Sequence, residues 1–320
     1  MSPNVISLGE ILVEIMRKKR DVPHSVPGEY LGPFPSGAPA IFIDSVARLG
    51  ESAGFIGVVG DDDFGKMLIN RLKGDGVDVK YIRILPGYTT GTAFVMYYST
   101  GERKFIFHLR HAAAGQLSPE DVDPSYIKSA KVLHVMGSAL AVSNSSKEAV
   151  YKAVEVAHES GVTVTFDPNL RPELLSVEYI REICKPVLEK CKVVLPSGTE
   201  ATVLTGEKDP IQAGVKLIES GAEIAVIKLG AKGSIAVTEE EVFKAPAYDV
   251  EEVDPTGAGD VYDGAFVVGM LKGWNLEKTL DFANAAGAIK VTRFGPMEGP
   301  LNFNEVTEFM KKTKKKEVIP

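Results

Sequence analysis

Cysteine is nearly absent from this chain: Cys184 and Cys191 are the only two, seven positions apart with charged residues between them. That spacing fits no zinc or redox motif, so the thiols read as reduced and incidental rather than as staples or metal ligands. No G-x-G-x-x-G follows the first strand-like run, and G-x-x-x-x-G-K-[ST] occurs nowhere, which excludes a dinucleotide fingerprint and a P-loop. No apolar run is long enough to span a bilayer, and the chain starts on a strand-like segment rather than a signal sequence. The expectation is a cytoplasmic protein. Positive charge is also in deficit. A net charge of −7 argues against nucleic acid as the main partner, although a local basic pocket could still take a phosphorylated ligand. Internal repeats and low-complexity linkers are missing as well.

What is present is ordinary for a folded globular chain: 320 residues, 44% hydrophobic and 25% charged, enough to bury one large core. Residues 5–15 read as a strand with Gly9 at a point of close approach, and 17–37 as irregular, with four prolines. A helix over 40–49 stopped by Gly50, a strand over 54–59 and a helix over 63–73 set a βαβ rhythm and imply a mainly parallel sheet. Extended runs at 92–99 and 104–109 flank a hairpin turn, Thr100-Gly101-Glu102-Arg103, that does not extend such a sheet easily. Pairing of this hairpin with the 12–35 segment predicts a small β flap over one end of the core. The alternation then resumes, with strands near 132–136, 162–166, 192–195 and 223–228 and helices near 145–159, 176–189 and 209–219. Two antiparallel edge strands at 233–245 and two long apolar helices, 258–271 and 276–292, complete the core. The Lys-rich stretch 311–316 reads as a frayed, solvated end.

Loops at the carboxyl ends of parallel strands collect ligands. Those loops here are Asp167-Pro168-Asn169-Leu170-Arg171, Pro196-Ser197-Gly198-Thr199-Glu200 and Leu229-Gly230-Ala231-Lys232-Gly233, joined by Asp254-Pro255-Thr256-Gly257-Ala258-Gly259-Asp260. Each alone is also a plain turn. Together they offer acids, an arginine and two glycine turns on one edge, the makings of a nucleotide–metal site. Glu200 suits Mg²⁺ held largely through water, and Arg171 could neutralise phosphate charge. A Gly-Ala-Gly turn feeding a helix points unpaired N–H groups and the positive helix end at one spot, an anion site. A carboxylate beside it, Asp260, repels phosphate unless it takes a proton from the attacking group. The plain alternative is that Asp260 only complements the helix dipole.

The stretch 254–260 with Gly264-Ala265-Phe266 resembles the C-terminal signature of the ribokinase-like (PfkB) carbohydrate kinases, and Ser36-Gly37-Ala38-Pro39-Ala40 through Ala47-Arg48-Leu49-Gly50 resembles their N-terminal signature. The similarity runs from Gly9 to Gly295. It implies an α/β fold of the ribokinase-like three-layer α/β/α type, one domain with a mainly parallel sheet and a small β lid from about 12–35 and 88–111. It also implies ATP-dependent phosphorylation of a sugar hydroxymethyl group with Mg²⁺. On that resemblance Asp260 is the catalytic base, and Gly257, Ala258 and Gly259 form the anion hole. Lys228, Gly230, Gly233 and Thr256 fall at the ATP phosphates and ribose, Asn284 beside the adenine, and Glu200 at the metal. Gly9, Glu14, Gly37, Asp167, Asn169 and Arg171 fall on the sugar side. So does Arg110, for which the plain alternative is a solvated flap charge.

Three positions depart from the family pattern: Ile41 replaces the usual Asn, Glu14 replaces an Asp, and Ser197 replaces the amide of the N-x-x-E metal motif. The first two bear on the substrate, the third on metal geometry. The expected acceptor is a fructose- or tagatose-like ketose, with a 2-keto-3-deoxygluconate-type sugar acid as alternative; a nucleoside kinase and a non-catalytic sugar sensor are the remaining readings. The flap suggests a homodimer joined through the lid.

Overall fold

Strands that are apolar on both faces need helices on both sides of the sheet, and β4 and β8 below are buried along their whole length. The computed structural model describes residues 2–100, 102–170 and 175–317. Chain order runs β1 (Val5–Leu8), β2 (Leu12–Arg17), β3 (Tyr30–Ser36), α1 (Ala38–Arg48), β4 (Ala53–Gly60), α2 (Asp63–Gly74), β5 (Val77–Leu85), β6 (Gly91–Tyr97), β7 (Arg103–His108), α3 (Pro124–Lys128), β8 (Val132–Met136), α4 (Gly137–Val142), α5 (Asn144–Glu159) and β9 (Thr163–Asp167). It continues with α6 (Val177–Leu188), β10 (Val193–Val194), α7 (Gly198–Thr205), α8 (Pro210–Glu219), β11 (Ile224–Lys228), β12 (Ser234–Val237), β13 (Val242–Ala245), α9 (Ala258–Leu271), α10 (Leu276–Val291) and α11 (Phe303–Lys312).

The main sheet has nine strands in the order β13-β12-β11-β10-β9-β8-β1-β4-β5. All neighbours are parallel except β11–β12 and β12–β13, the antiparallel edge. One apolar core packs α1, α9 and α10 on one face; a second packs α5, α6 and α8 on the other. The ribokinase-like α/β fold is therefore present. Helix α9 is buried from Asp260 to Gly269 without a polar stripe, as expected of a helix enclosed between sheet and neighbours. No helix among the described residues is long and apolar enough to cross a membrane.

A second sheet, β3-β2-β6-β7, stands apart from the first. Its register pairs Leu12 with both Ser36 and Gly91, and Thr92 with His108. All four chain connections to the main body thus leave from one end of this sheet. Tyr97, paired with Arg103, lies at the opposite end.

Four sequence expectations need correction. The run 5–15 is not one strand: β1 and β2 join different sheets, broken at Gly9 (φ 145°), where a side chain would press on Pro39 Cγ and Ala139 Cβ at 2.8 and 2.9 Å. The irregular 17–37 stretch contains β3 despite Pro33 and Pro35, since it is a sheet edge that needs few N–H donors. Strand β5, outside the elements expected from sequence, forms the other edge of the main sheet. The Lys-rich end is not frayed: it begins as the last residues of α11, bridges Tyr248 through Lys315, and donates Lys316 N–H to the Ala247 carbonyl at 2.8 Å. The hairpin turn residue Gly101 lies outside the described residues.

Candidate active site

A cavity of about 600 Å³ opens between the carboxyl ends of the main strands and the small sheet. Helix α9 enters it N-terminus first. Gly257 is its N-cap in the left-handed region (φ 81°), and a Cβ there would lie 2.3 Å from the Pro296 carbonyl oxygen. Only glycine fits that turn without strain. Ala258 N–H donates back to the Pro255 carbonyl at 3.2 Å and Val261 N–H to the Gly257 carbonyl at 2.9 Å, while the N–H groups of Gly259 and Asp260 between them precede the first helical acceptor. Asp260, in that same turn, is 7% exposed and lines the cavity.

The loop after β9 comes to meet it. Asn169 adopts φ 38°, its N–H donating to Asp167 Oδ1 at 3.0 Å, and its Nδ2 reaches Asp260 Oδ1 at 3.4 Å. Asp167 closes β9 at 2% exposure. Lys228, the last residue of β11, is clamped between Asp167 Oδ2 (3.0 Å) and Asp263 Oδ2 (2.9 Å). Burial drives Asp263 well above the usual carboxylate range, against the pull of Lys228 and with help from Asp167. Burial also works against ionised Asp167 and is the largest single influence on it, but the Lys228 ammonium and the hydrogen bonds from Asp263 and Lys228 together outweigh it, and the carboxyl sits below its ordinary value. Burial opposes the Lys228 charge in turn, and the two acids more than restore it. The cluster thus sets one ammonium between two carboxyl groups, of which Asp167 is the one held in favour of its charged form and Asp263 the one that burial drives toward its neutral form. Lys228 Nζ lies 3.6 Å from where a Gly259 Cβ would be, so the ammonium borders the helix entry.

Glu200 caps α7 in a capping box: one oxygen accepts Ser197 N–H at 2.7 Å, the other Leu170 N–H at 2.9 Å. Each oxygen keeps a further lone pair, and the residue lines the cavity. Among the described residues no cluster of three acidic, His or Cys side chains could cage a metal. The donor set suits a hard cation carried mainly by water and phosphate oxygens rather than a dedicated protein cage.

Gly230 (φ 57°) and Gly233 (φ 103°) flank the turn after β11 and line the cavity. Asn284 faces them from α10, accepting from Ser234 Oγ at 3.3 Å and donating to the carbonyls of Ala245 and Pro246 at 3.2 and 3.4 Å. Thr256 lines the cavity, its N–H held by Asp254 Oδ1 at 3.0 Å and its hydroxyl against that of Tyr97. Burial, with Asp254 next, pushes the Tyr97 phenol up and keeps it a donor.

On the opposite wall, Gly37 (φ 110°) lines the cavity and Glu14, 3% exposed, accepts from Ser36 Oγ at 3.0 Å. Gly9 is not part of the lining; it makes room for Pro39 and Ala139. Arg110 is exposed just past β7 and away from the cavity, whereas Arg103, at the start of β7, lines it and reaches Thr256 Oγ1 at 3.5 Å. The alternation of β7 explains this: 103, 105, 107 and 109 share the inner face, and 110 begins the turn. Arg171 lies outside the described residues.

Sequence reasoning missed Glu10, Arg103 and Asp263, all at or beside the cavity. For Asp263 a signal existed: three positions after Asp260, it shares that residue's helical face. The assembled site offers a buried carboxylate, a helix-end anion cradle and an ammonium at one place, the parts needed to move a proton and to hold a phosphoryl group.

The model of the "pfkB family carbohydrate kinase" matches residues 2–302. Probable fructokinase-3 of Arabidopsis thaliana is 34% identical over 98% of this chain and 93% of its own length. A 2-dehydro-3-deoxygluconokinase of Thermoproteus tenax is 33% identical, over 96% of this chain and 94% of its own. A crystal structure from E. coli in complex with ATP and Mg²⁺, provisionally described as a ribokinase II, is 43% identical, with a TM-score of 0.91 over 98% of this chain and 100% of that one.

Proposed function

The chain belongs to the pfkB family of carbohydrate kinases, and from that premise we propose that it moves the γ-phosphoryl group of ATP onto a hydroxymethyl oxygen of a ketose such as fructose or tagatose. The observation that carries this reading is the position of Asp260: buried at the floor of the cavity, in the first turn of α9, beside the left-handed Gly257. Asp260 takes the hydroxymethyl proton as that oxygen attacks the γ-phosphorus in line. The bond from the γ-phosphorus to the β–γ bridging oxygen breaks, and ADP leaves. The N–H groups at Gly257, Ala258 and Gly259 would meet the charge that develops on the transferred group, that of Ala258 sharing its proton with the Pro255 carbonyl. Lys228 stands beside them, and Gly230, Gly233, Thr256 and Asn284 line the nucleotide's length of the cavity.

Glu200, through its remaining lone pairs, would hold Mg²⁺ by way of water. The ion supplies charge neutralisation at the phosphate oxygens. Glu14, Gly37, Asp167 and Asn169 are the sugar-side residues, with Asn169 also steadying Asp260. The small sheet acts as a lid that keeps water from becoming the acceptor.

Arg103 favours a second reading. A guanidinium on the lid wall is suited to a sugar-acid carboxylate, as on a 2-keto-3-deoxygluconate-type substrate. A coupled ADP assay over fructose, tagatose, ribose, 2-keto-3-deoxygluconate and adenosine separates these readings. Fastest turnover on a ketose supports the first; preference for adenosine, or ATP hydrolysis without transfer, defeats both.

For the assembly we propose a homodimer through the lid, supported by Leu31 and Ile106, which stay 37% and 43% exposed on its two edge strands. A monomer in light scattering at working concentration would count against it. A reducing, cytoplasmic setting agrees with two free, buried cysteines whose thiols burial pushes up to about 12.

A further inference from the structure

Lysine is among the residues least often buried whole, yet the Lys290 side chain in α10 is 0% exposed. Its Nζ donates to the main-chain carbonyls of Asp254 at 2.9 Å and Arg293 at 3.1 Å, and lies 4.0 Å from Asp254 Oδ2. Burial pulls its pKa down, opposed by the carboxylates of Asp254, Glu298, Glu14 and Asp260. A buried ammonium is costly to keep, and a methionine of similar volume would pack without that cost.

The location gives the charge a purpose. Asp254 opens the loop that leads through Thr256 to Gly257. Both of its carboxylate oxygens are bonded: Oδ1 accepts Thr256 N–H and the Tyr97 hydroxyl, each at 3.0 Å, and Oδ2 accepts Gly295 N–H at 2.9 Å. The 293–296 segment supplies the Pro296 carbonyl oxygen, which lies 2.3 Å from where a Gly257 Cβ would be and so leaves room only for glycine at that turn. Lys290 therefore ties together the two chain segments that border Gly257, one leading into it from Asp254 and one packed against it at Pro296.

We propose that the Lys290 ammonium is a built-in cation that positions the loop at Gly257, Ala258, Gly259 and Asp260 for phosphoryl transfer. This rests on reading that loop as the anion hole. Lys290 is a positioning residue: it reaches the reacting atoms only through Asp254 and the 293–296 turn. Two carbonyls and a carboxylate around one ammonium also form a cage that a small free ammonium ion can occupy once the side chain is shortened.

The test uses the full chain and three variants. Lys290→Met keeps the volume and removes the charge, Lys290→Ala opens the cage, and Asp260→Asn reports on the site itself. In Lys290→Met kcat is expected to fall at least ~10-fold, since small misplacements of a catalytic array are costly, while KM for sugar and for ATP stays nearly unchanged. Ammonium or ethylammonium chloride is expected to restore kcat to Lys290→Ala and to leave the wild type indifferent. If Lys290→Ala needs the amine in order to fold, kcat must return together with the fold. Wild-type kcat in a folded Lys290→Met, fold regained without kcat, or failure of both variants to fold under any of these conditions overturns the proposal. Should Asp260→Asn also turn over normally, the anion-hole reading itself falls; if only Lys290→Met does, that reading stands and the role of Lys290 falls.

Discussion

The phenolic oxygen of Tyr97, at the far end of the small sheet, donates to Asp254 Oδ1 across 3.0 Å, and so touches the loop that shapes the N-terminus of α9. Replacing Tyr97 with Phe removes one donor from a buried carboxylate and leaves the ring in place. A loss of about 1 kcal/mol in stability is expected, together with a several-fold drop in kcat/KM. Urea unfolding and steady-state kinetics on the same preparation measure both. An unchanged kcat/KM would disconnect the small sheet from catalysis.

Asp260→Asn keeps the shape and loses the basicity. A fall of at least ~10²-fold in kcat is expected, the range for a general base, with ADP affinity nearly unchanged by calorimetry. Near-normal turnover would remove Asp260 from the role of base.

Gly257→Ala asks an alanine to hold φ 81° with its Cβ 2.3 Å from the Pro296 carbonyl oxygen. The variant should lose more than about 1 kcal/mol of stability. Its kcat should fall further than its ATP KM changes, because the N–H groups are re-aimed rather than removed. A lowered thermal midpoint together with a kcat/KM split in the opposite sense would contradict the anion-hole reading.

His134 predicts how the fold responds to acid. It lies flat on Phe42, with ring centroids 3.7 Å apart, and its Nδ1 contacts Thr165 Oγ1 at 2.8 Å. Burial depresses its pKa from 6.5 to about 3, with Asp167 opposing and Lys228 assisting. The unfolded chain therefore takes up a proton that the folded one refuses. The contribution is fully present above 6.5 and is lost as pH falls from 6.5 toward 3, at about 1.4 kcal/mol per pH unit. Urea midpoints between about pH 7 and pH 4 should fall more steeply for the wild type than for His134→Gln, whatever the absolute stability of the variant. Equal slopes would mean that His134 does not carry this acid sensitivity.

The parallel core was legible in sequence because its elements obey local rules. Apolar runs such as Val132–Met136 and capped helices such as α5, opened by Ser143, announce themselves without tertiary help. The break at Gly9 was not legible, because an unbroken apolar run looks the same whether it serves one sheet or two. Motif residues such as Asp260, Asp167 and Lys228 came together because strand-end loops share one edge of a parallel sheet. Arg103 was passed over for Arg110 because the sequence does not show which end of the β7 hairpin strand meets the α9 loop, nor that the strand stops at His108, before Arg110. Asp263 and Lys290 sit in largely apolar helices where sequence alone does not say which polar residues are buried, and the role of each depends on partners 35 and 36 residues away in sequence.

Because every tether of the small sheet leaves from the row of Leu12, Ser36, Gly91 and His108, the sheet is a cantilever. Its hinge line is short on slack: only Gly37 separates β3 from α1, and Thr90, just before β6, is pinned by Asp62 through N–H at 2.7 Å and hydroxyl at 2.6 Å. Short connections along one edge oppose sliding of the sheet more than tilting about that edge. If the sheet tilts as the lid proposed above, a small arc near the hinge would become a larger sweep at Tyr97 and Arg103, the residues that meet the α9 loop.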